Sequence, residues 1–161
     1  MKNLLVIFLL LLAIGAGYLL LINSPSYRSA SKPIPTAGPT PTPIVLDPGK
    51  LFNLVNEYRV NHNLNKLTLN KDLCPLANER LAQIHNDFTH NQFRALRYRY
   101  FPDGEVGENL AEGYNSEKEA MNAWLASPTH HELIVKPNYT SSCLVTDTVN
   151  GTYAVQIFSN F

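Results

Sequence analysis

The chain has 161 residues and a mass of 18.0 kDa, a length that accommodates one ordinary domain with flanking segments and excludes two sizeable cores. Thirteen Lys and Arg balance thirteen Asp and Glu, for a formal charge of +0 at pH 7, which argues against a nucleic-acid binder that relies on bulk phosphate attraction. The average of 45% hydrophobic residues conceals three segments of different composition.

The first segment, residues 1–22, contains the uncharged run LLVIFLLLLAIGAGYLLLI from Leu4 to Ile22. As a helix rising ~1.5 Å per residue it is long enough to cross ~30 Å of hydrocarbon. Signal peptides carry shorter apolar cores followed by a small-residue cleavage site, and only Ser29-Ala30-Ser31 resembles one. The run therefore reads as an uncleaved, single-pass transmembrane anchor with the rest of the chain outside the cell membrane; secretion after signal cleavage is the alternative. Charge hardly sets the orientation, because Lys2 on one side faces Arg28 and Lys32 on the other.

Residues 23–49 form a linker with seven of the eleven prolines, among them Pro33-Ile34-Pro35 and Pro39-Thr40-Pro41-Thr42-Pro43. Such a sequence favours extended polyproline II at ~3.1 Å per residue, a spacer that holds a domain away from a membrane.

The folded domain is expected over residues 50–161. Asp47-Pro48 reads as an N-cap and first helical position, and Leu51, Leu54, Val55 and Tyr58 continue an amphipathic helix to about Asn61. Asn70 or Asp72 opens a second helix with the stripe Leu73, Leu76, Ala77, Leu81, Ile84 and Phe88, expected to stop between Asp87 and His90. A short strand is expected in the Gly-bounded stretch from Gly107 to Gly113. Ser116-Glu117-Lys118-Glu119 is a capping box before a third helix that carries Ala120, Ala123 and Trp124 and ends at Pro128. Cys143 to Val149 and Thr152 to Phe158 are rich in β-branched and aromatic residues and flank Asn150-Gly151, predicting an antiparallel hairpin. The class is α+β.

Cys74 and Cys143 are an even pair, consistent with a disulfide formed in an oxidising compartment; two unlinked buried thiols are the alternative. Among the five histidines, His90 and His130 are placed in loops at helix ends, and Glu108 adds a carboxylate where glycine lets backbone approach closely. Two imidazoles and a carboxylate are the groups that hold zinc with an open position or act as a general base. Spacing alone carries this weakly, since no compact ligand motif is present. The stretch Arg94, Arg97, Tyr98, Arg99, Tyr100 and Phe101 has two readings: a basic aromatic patch for an anionic lipid, cell-wall polymer or nucleic acid, or, the stronger of the two, an alternating segment with its arginines in solvent and Leu96, Tyr98 and Tyr100 on the core.

The ordered set Phe88-Thr89-His90, Gly107-Glu108-Asn109-Leu110-Ala111-Glu112-Gly113, Trp124-x-x-Ser127-Pro128-x-His130, Pro137-Asn138-Tyr139-Thr140 and Tyr153-Ala154-Val155-Gln156-Ile157-Phe158 resembles a bacterial CAP domain. That SCP/PR-1-like superfamily covers cysteine-rich secretory proteins, antigen 5 and pathogenesis-related 1 proteins. The resemblance spans about residues 50–161 and implies an α-β-α sandwich with a small antiparallel sheet, extracytoplasmic residence, and a cleft where His90, Glu108 and His130 meet. In larger members a second glutamate follows the tryptophan of the third helix, where this chain has Ser127, so a two-His, two-Glu set is incomplete. Glu132 is the nearest replacement in sequence. Ser142 and Cys143 also stand where the bacterial pattern has an apolar residue and a glycine.

Besides a purely structural domain, in which His90, Glu108 and His130 form a hydrogen-bonded network that ties loops together, two functions follow as expectations. One is a membrane-anchored binding module whose cleft takes a metal ion or small ligand while its surface meets lipid, cell-envelope or protein partners. The other is a zinc-dependent hydrolase or peptidase in which His90 and His130 hold the metal and Glu108 activates water.

Overall fold

The computed structural model describes residues 45–147 and 152–161. The anchor at 1–22, most of the linker and the Asn150-Gly151 turn lie outside the described residues. No helix among the described residues is long and apolar enough to cross a membrane.

The first helix, α1, spans Pro48–Asn61. The Asp47 carboxylate accepts from the Lys50 amide at 3.0 Å, and Pro48 starts the helix where a missing N–H costs nothing. Leu46 is already buried, so the end of the Pro-rich segment belongs to the domain. α1 buries Leu51, Val55, Asn56 and Arg59. Asn56 pairs with both backbone groups of Leu67, donating to its carbonyl at 3.1 Å and accepting from its amide at 2.7 Å. This pins the approach to β1, Thr68–Leu69.

A 3₁₀ turn over Lys71–Leu73, capped by Asn70, leads into α2, Cys74–Ile84. The helix stops earlier than expected, and Phe88 leaves the apolar stripe to stand 40% exposed. The following segment is helical, α3 over Phe93–Tyr100, rather than alternating. A helix turns only Leu96 fully inward, and Tyr98, expected on the core, is 46% exposed.

β2 spans Val106–Glu112 and α4 spans Glu117–Ala126. Half of the capping box forms: Ser116 Oγ accepts from the Glu119 amide at 3.3 Å, while the Glu119 carboxylate takes the Asn115 amide. Pro128 does end α4, but it also opens α5, Pro128–Val135, with Ser127 as the joint between the two helices. β3, Ser141–Asp147, and β4, Tyr153–Ser159, complete the chain.

The sheet order is β1-β3-β4-β2. β4 lies antiparallel to both β3 and β2, as the hairpin pattern predicts, whereas β1 runs parallel to β3, so the sheet is mixed rather than wholly antiparallel. Alternation along β4 feeds two cores: Ala154 and Phe158 join Leu51, Val55, Trp124 and Ile134 under α1, α4 and α5, while Tyr153, Val155 and Ile157 face Leu76, Leu81 and Ile84 of α2. The result is an α-β-α sandwich.

Three tethers join the layers. Arg59, wholly buried, donates to the carbonyls of Asn65, Ile134, Lys136 and Tyr139 at 2.7 to 3.0 Å, satisfying the C-terminal end of α5 and the chain beyond it. Burial lowers its pKa from the ordinary value. The indole of Trp124 donates to the Leu110 carbonyl at 2.7 Å and fixes α4 on β2. Cys74 and Cys143 form a disulfide that ties the start of α2 to β3 across a sequence separation of 69. In the chain-entropy view such a loop contributes about 4 kcal/mol. Reduction with dithiothreitol should therefore lower the urea midpoint followed by Trp124 fluorescence by an amount equivalent to about 2–4 kcal/mol, and a Cys74→Ser, Cys143→Ser variant should show the lower midpoint without reductant.

Candidate functional site

The site lies at the β2 edge of the sheet, and its foundation is a buried ion pair. Arg80 occupies a position in the apolar stripe of α2, between Ala77 and Ile84, and is 1% exposed. Its partner Glu108 is on the α2-facing side of β2, its side chain also 1% exposed. Arg80 Nε donates to Glu108 Oε2 at 2.8 Å and Nη2 donates to Oε1 at 3.0 Å, the two-pronged geometry in which guanidinium and carboxylate match. The remaining donors serve the Gln83 side chain at 2.7 Å and the Thr89 carbonyl at 2.7 Å.

The contact with Thr89 fixes the loop that carries His90. His90 Nδ1 donates to Glu108 Oε1 at 2.9 Å, while the rest of its ring stays in solvent with the side chain 55% exposed. Because a carboxylate can only accept, Nδ1 carries the proton and Nε2 of the neutral ring keeps its lone pair. The chain from Arg80 through Glu108 to His90 thus sets both the ring's orientation and its tautomer.

His130 approaches from the opposite layer. It sits in the first turn of α5 rather than in a loop, half-buried, and its ring centroid is 5.8 Å from that of His90 at an interplanar angle of 50°. Asn109 holds the helix start by donating to the His130 carbonyl at 3.1 Å. The His130 pKa is lowered from 6.5, first by burial, then by the neighbouring His90, with Glu108 acting in the opposite direction. Gly107 permits the close packing of α5 on β2, since a Cβ there would lie 2.7 Å from the Tyr139 hydroxyl and 3.1 Å from Leu133. Burial, helped by Glu105, pushes the Tyr139 hydroxyl up to about 12, so it stays neutral.

His90, Glu108 and His130 are therefore brought together as the sequence implies. Glu132 is exposed on α5. The other histidines serve elsewhere: His62 stacks on Tyr58 at 3.9 Å, His131 Nε2 meets the Tyr58 hydroxyl at 3.0 Å, and His85 lies 3.3 Å from Asp147. Sequence reasoning missed Arg80 and Asn109. The signal for Arg80 was present: a cation within an apolar stripe needs a buried anion, and Glu108 lies within a strand that is otherwise uncharged until its last residue.

As a metal centre the donor set is short. A catalytic zinc site supplies three protein ligands, whereas here both oxygens of Glu108 are taken by Arg80 and His90, leaving two imidazoles. Among the described residues no group of three or more His, Cys, Asp and Glu is placed to hold a metal ion. What the arrangement offers is an oriented imidazole with an accepting nitrogen, beside a second ring that burial keeps neutral.

Comparisons with known proteins agree with this fold. Three solved bacterial structures are similar: a cysteine-rich secretory protein from Staphylococcus aureus (21% identity, TM-score 0.61, 71% of this chain and 38% of that one), an outer surface protein from Borrelia burgdorferi (25%, 0.62, 69% and 90%), and an extracellular SCP-domain protein from Bacillus anthracis (21%, 0.60, 70% and 40%). The chain thus spans well under half of the S. aureus and B. anthracis proteins. No functionally curated protein matches it by sequence.

Two outcomes test the site's physics. Arg80→Met strands the buried Glu108 charge and should destabilise the domain by about 3–5 kcal/mol in urea unfolding, with most of the loss recovered in Arg80→Met, Glu108→Leu. For His130, a folded pKa below the unfolded 6.5 means that stability is complete above pH 6.5 and is lost as pH falls through the lower, folded value. The thermal midpoint should drop over that window, and less steeply in His130→Gln.

Residues 52–158 match the sequence profile of the cysteine-rich secretory protein family, and with the sandwich and the ordered motifs in place the chain belongs to that CAP family.

Proposed function

We propose that the domain is an extracytoplasmic binding module of the cell envelope, held at the membrane by its N-terminal segment, and that the cleft of His90, Glu108 and His130 takes a small ligand. The observation that carries this reading is the commitment of Glu108: with Arg80 on both oxygens and His90 on one, three hydrogen bonds engage a side chain that is 1% exposed, which leaves little of the carboxylate to take a proton from a substrate water. The cleft then recognises rather than reacts. The exposed Nε2 of the neutral His90 ring suits a hydroxyl or amide donor on the ligand. The apolar run at residues 4–22 and the disulfide support a location outside the cytoplasm. The relatives described as an outer surface protein and an extracellular protein are consistent with it.

The second reading is a zinc-dependent hydrolase, favoured by the 5.8 Å approach of the two imidazoles. In that reading His90 and His130 would hold the ion, which would supply a lowered water pKa; Glu108 would have to leave Arg80 to serve as base.

One experiment separates them. Full-length protein in detergent is mixed with isolated envelope fragments and sedimented, alongside a calorimetric zinc titration, for the parent, the His90→Ala, His130→Ala variant and Glu108→Gln. The binding module predicts co-sedimentation weakened, with the share carried by other faces of the domain remaining, in the double variant and no peptide turnover. Zinc binding at a Kd of ~1 μM, equivalent to about −8 kcal/mol, together with turnover abolished by Glu108→Gln, would replace it with the hydrolase.

A further inference from the structure

We propose that α3 is a docking surface for a phosphodiester-linked polyanion of the envelope, gripped by Arg94, Arg97 and Tyr98. This deepens the envelope-binding reading and rests on it for where the partner is met, but it uses a different face from the imidazole cleft.

Five arginines lie among the described residues. Arg59 and Arg80 are buried and satisfied within the protein, and the other three all fall on α3, within six residues. α3 contains no acidic residue. Counted over residues 50–161, ten Lys and Arg face twelve Asp and Glu, so this basic helix stands on a domain that is otherwise acidic. A local field of that kind orients the domain toward an anionic partner.

The three arginines are not equivalent. Arg99 Nη1 donates to Glu79 Oε1 at 2.8 Å, and the other oxygen of Glu79 accepts from Tyr100, so the nearest acid is already engaged. Glu105 is likewise paired, with Lys136. Arg94 is exposed. Arg97 lies over the Tyr98 ring, 3.9 Å from its centroid, and gives one hydrogen bond to the Gly104 carbonyl at 3.2 Å. Most of its donors are unused, and the stacking limits the freedom a partner would otherwise have to freeze out. Positions 94, 97 and 98 are neighbours on one helix face, with ~5–6 Å between Cβ atoms. Two planar guanidinium forks at that separation suit successive phosphates better than isolated lysines would.

An anionic bilayer is the less favoured occupant. A helix that lies in a membrane needs a continuous apolar face, and the apolar residues of α3, Phe93 and Leu96, are turned into the core. Of the exposed large hydrophobics, only Tyr98 belongs to this helix.

The test uses the full-length protein in detergent with inorganic polyphosphate as the polyanion and vesicles containing phosphatidylglycerol as the membrane arm. Polyphosphate binding should weaken with salt, and Arg94→Gln, Arg97→Gln should lower affinity about ten-fold at low ionic strength while reducing the salt slope by about 1–2. His90→Ala, His130→Ala should leave this binding unchanged, which keeps failure here distinct from failure of the cleft. If the paired substitution shifts the thermal midpoint read from Trp124, Arg94→Glu, at an exposed position, should alone give the loss. Unchanged polyphosphate affinity in these variants would overturn the proposal, and so would a loss confined to the vesicles.

Discussion

Everything at the β2 edge depends on a charge pair taken out of water. A carboxylate inside a sheet-helix interface is tolerable only if its lone pairs are met, and Arg80 meets them with two parallel hydrogen bonds. The same guanidinium reaches the carbonyl of Thr89, so the α2 layer, the strand and the His90 loop share one anchor. Because only the Nδ1 side of His90 is bound and most of the side chain remains in solvent, the ring is both fixed and presented.

This arrangement changes the role of the acid. In a hydrolytic site a glutamate must be free to take a proton from water; here Glu108 is a strut that orients an imidazole. The opposite ring is supported from the other layer, through Asn109 on the carbonyl of His130 and through the close contact that Gly107 allows with Tyr139. Two layers of the sandwich thus present one histidine each across an edge strand. The meeting of the two rings is a property of how the layers are tethered, not of either layer alone.

Much of this was legible before the coordinates. Periodicity located α1 and α2, the Asp47-Pro48 and Ser116 signals located two helix starts, and β-branched alternation located the hairpin, because each depends on local physics. His90, Glu108 and His130 converged only through the ordered motifs, since three residues spread over forty positions carry no spacing signal of their own. The errors have physical reasons as well. Pro128 stops one helix by its missing N–H and starts the next by its fixed φ, and only the second effect places His130 on a helix. The residues 93–100 contain aromatics at alternate positions that mimic a strand, whereas packing of Phe93 and Leu96 against α2 and the sheet selects a helix. Arg59 and Arg80 were invisible as structural residues because charge normally marks a solvent face.

The order of strands has a consequence for when the domain can close. β4 comes last among the described elements yet sits between β3 and β2, and among the described residues β2 pairs with β4 alone. The Cys143 half of the disulfide likewise arrives 69 residues after Cys74. Until residue 159 has emerged, the sheet lacks its centre, Glu108 lacks a strand to be held in, and Cys74 lacks its partner. A chain released from its N-terminus would therefore remain without its sheet over most of its length and close only when its last strand arrives.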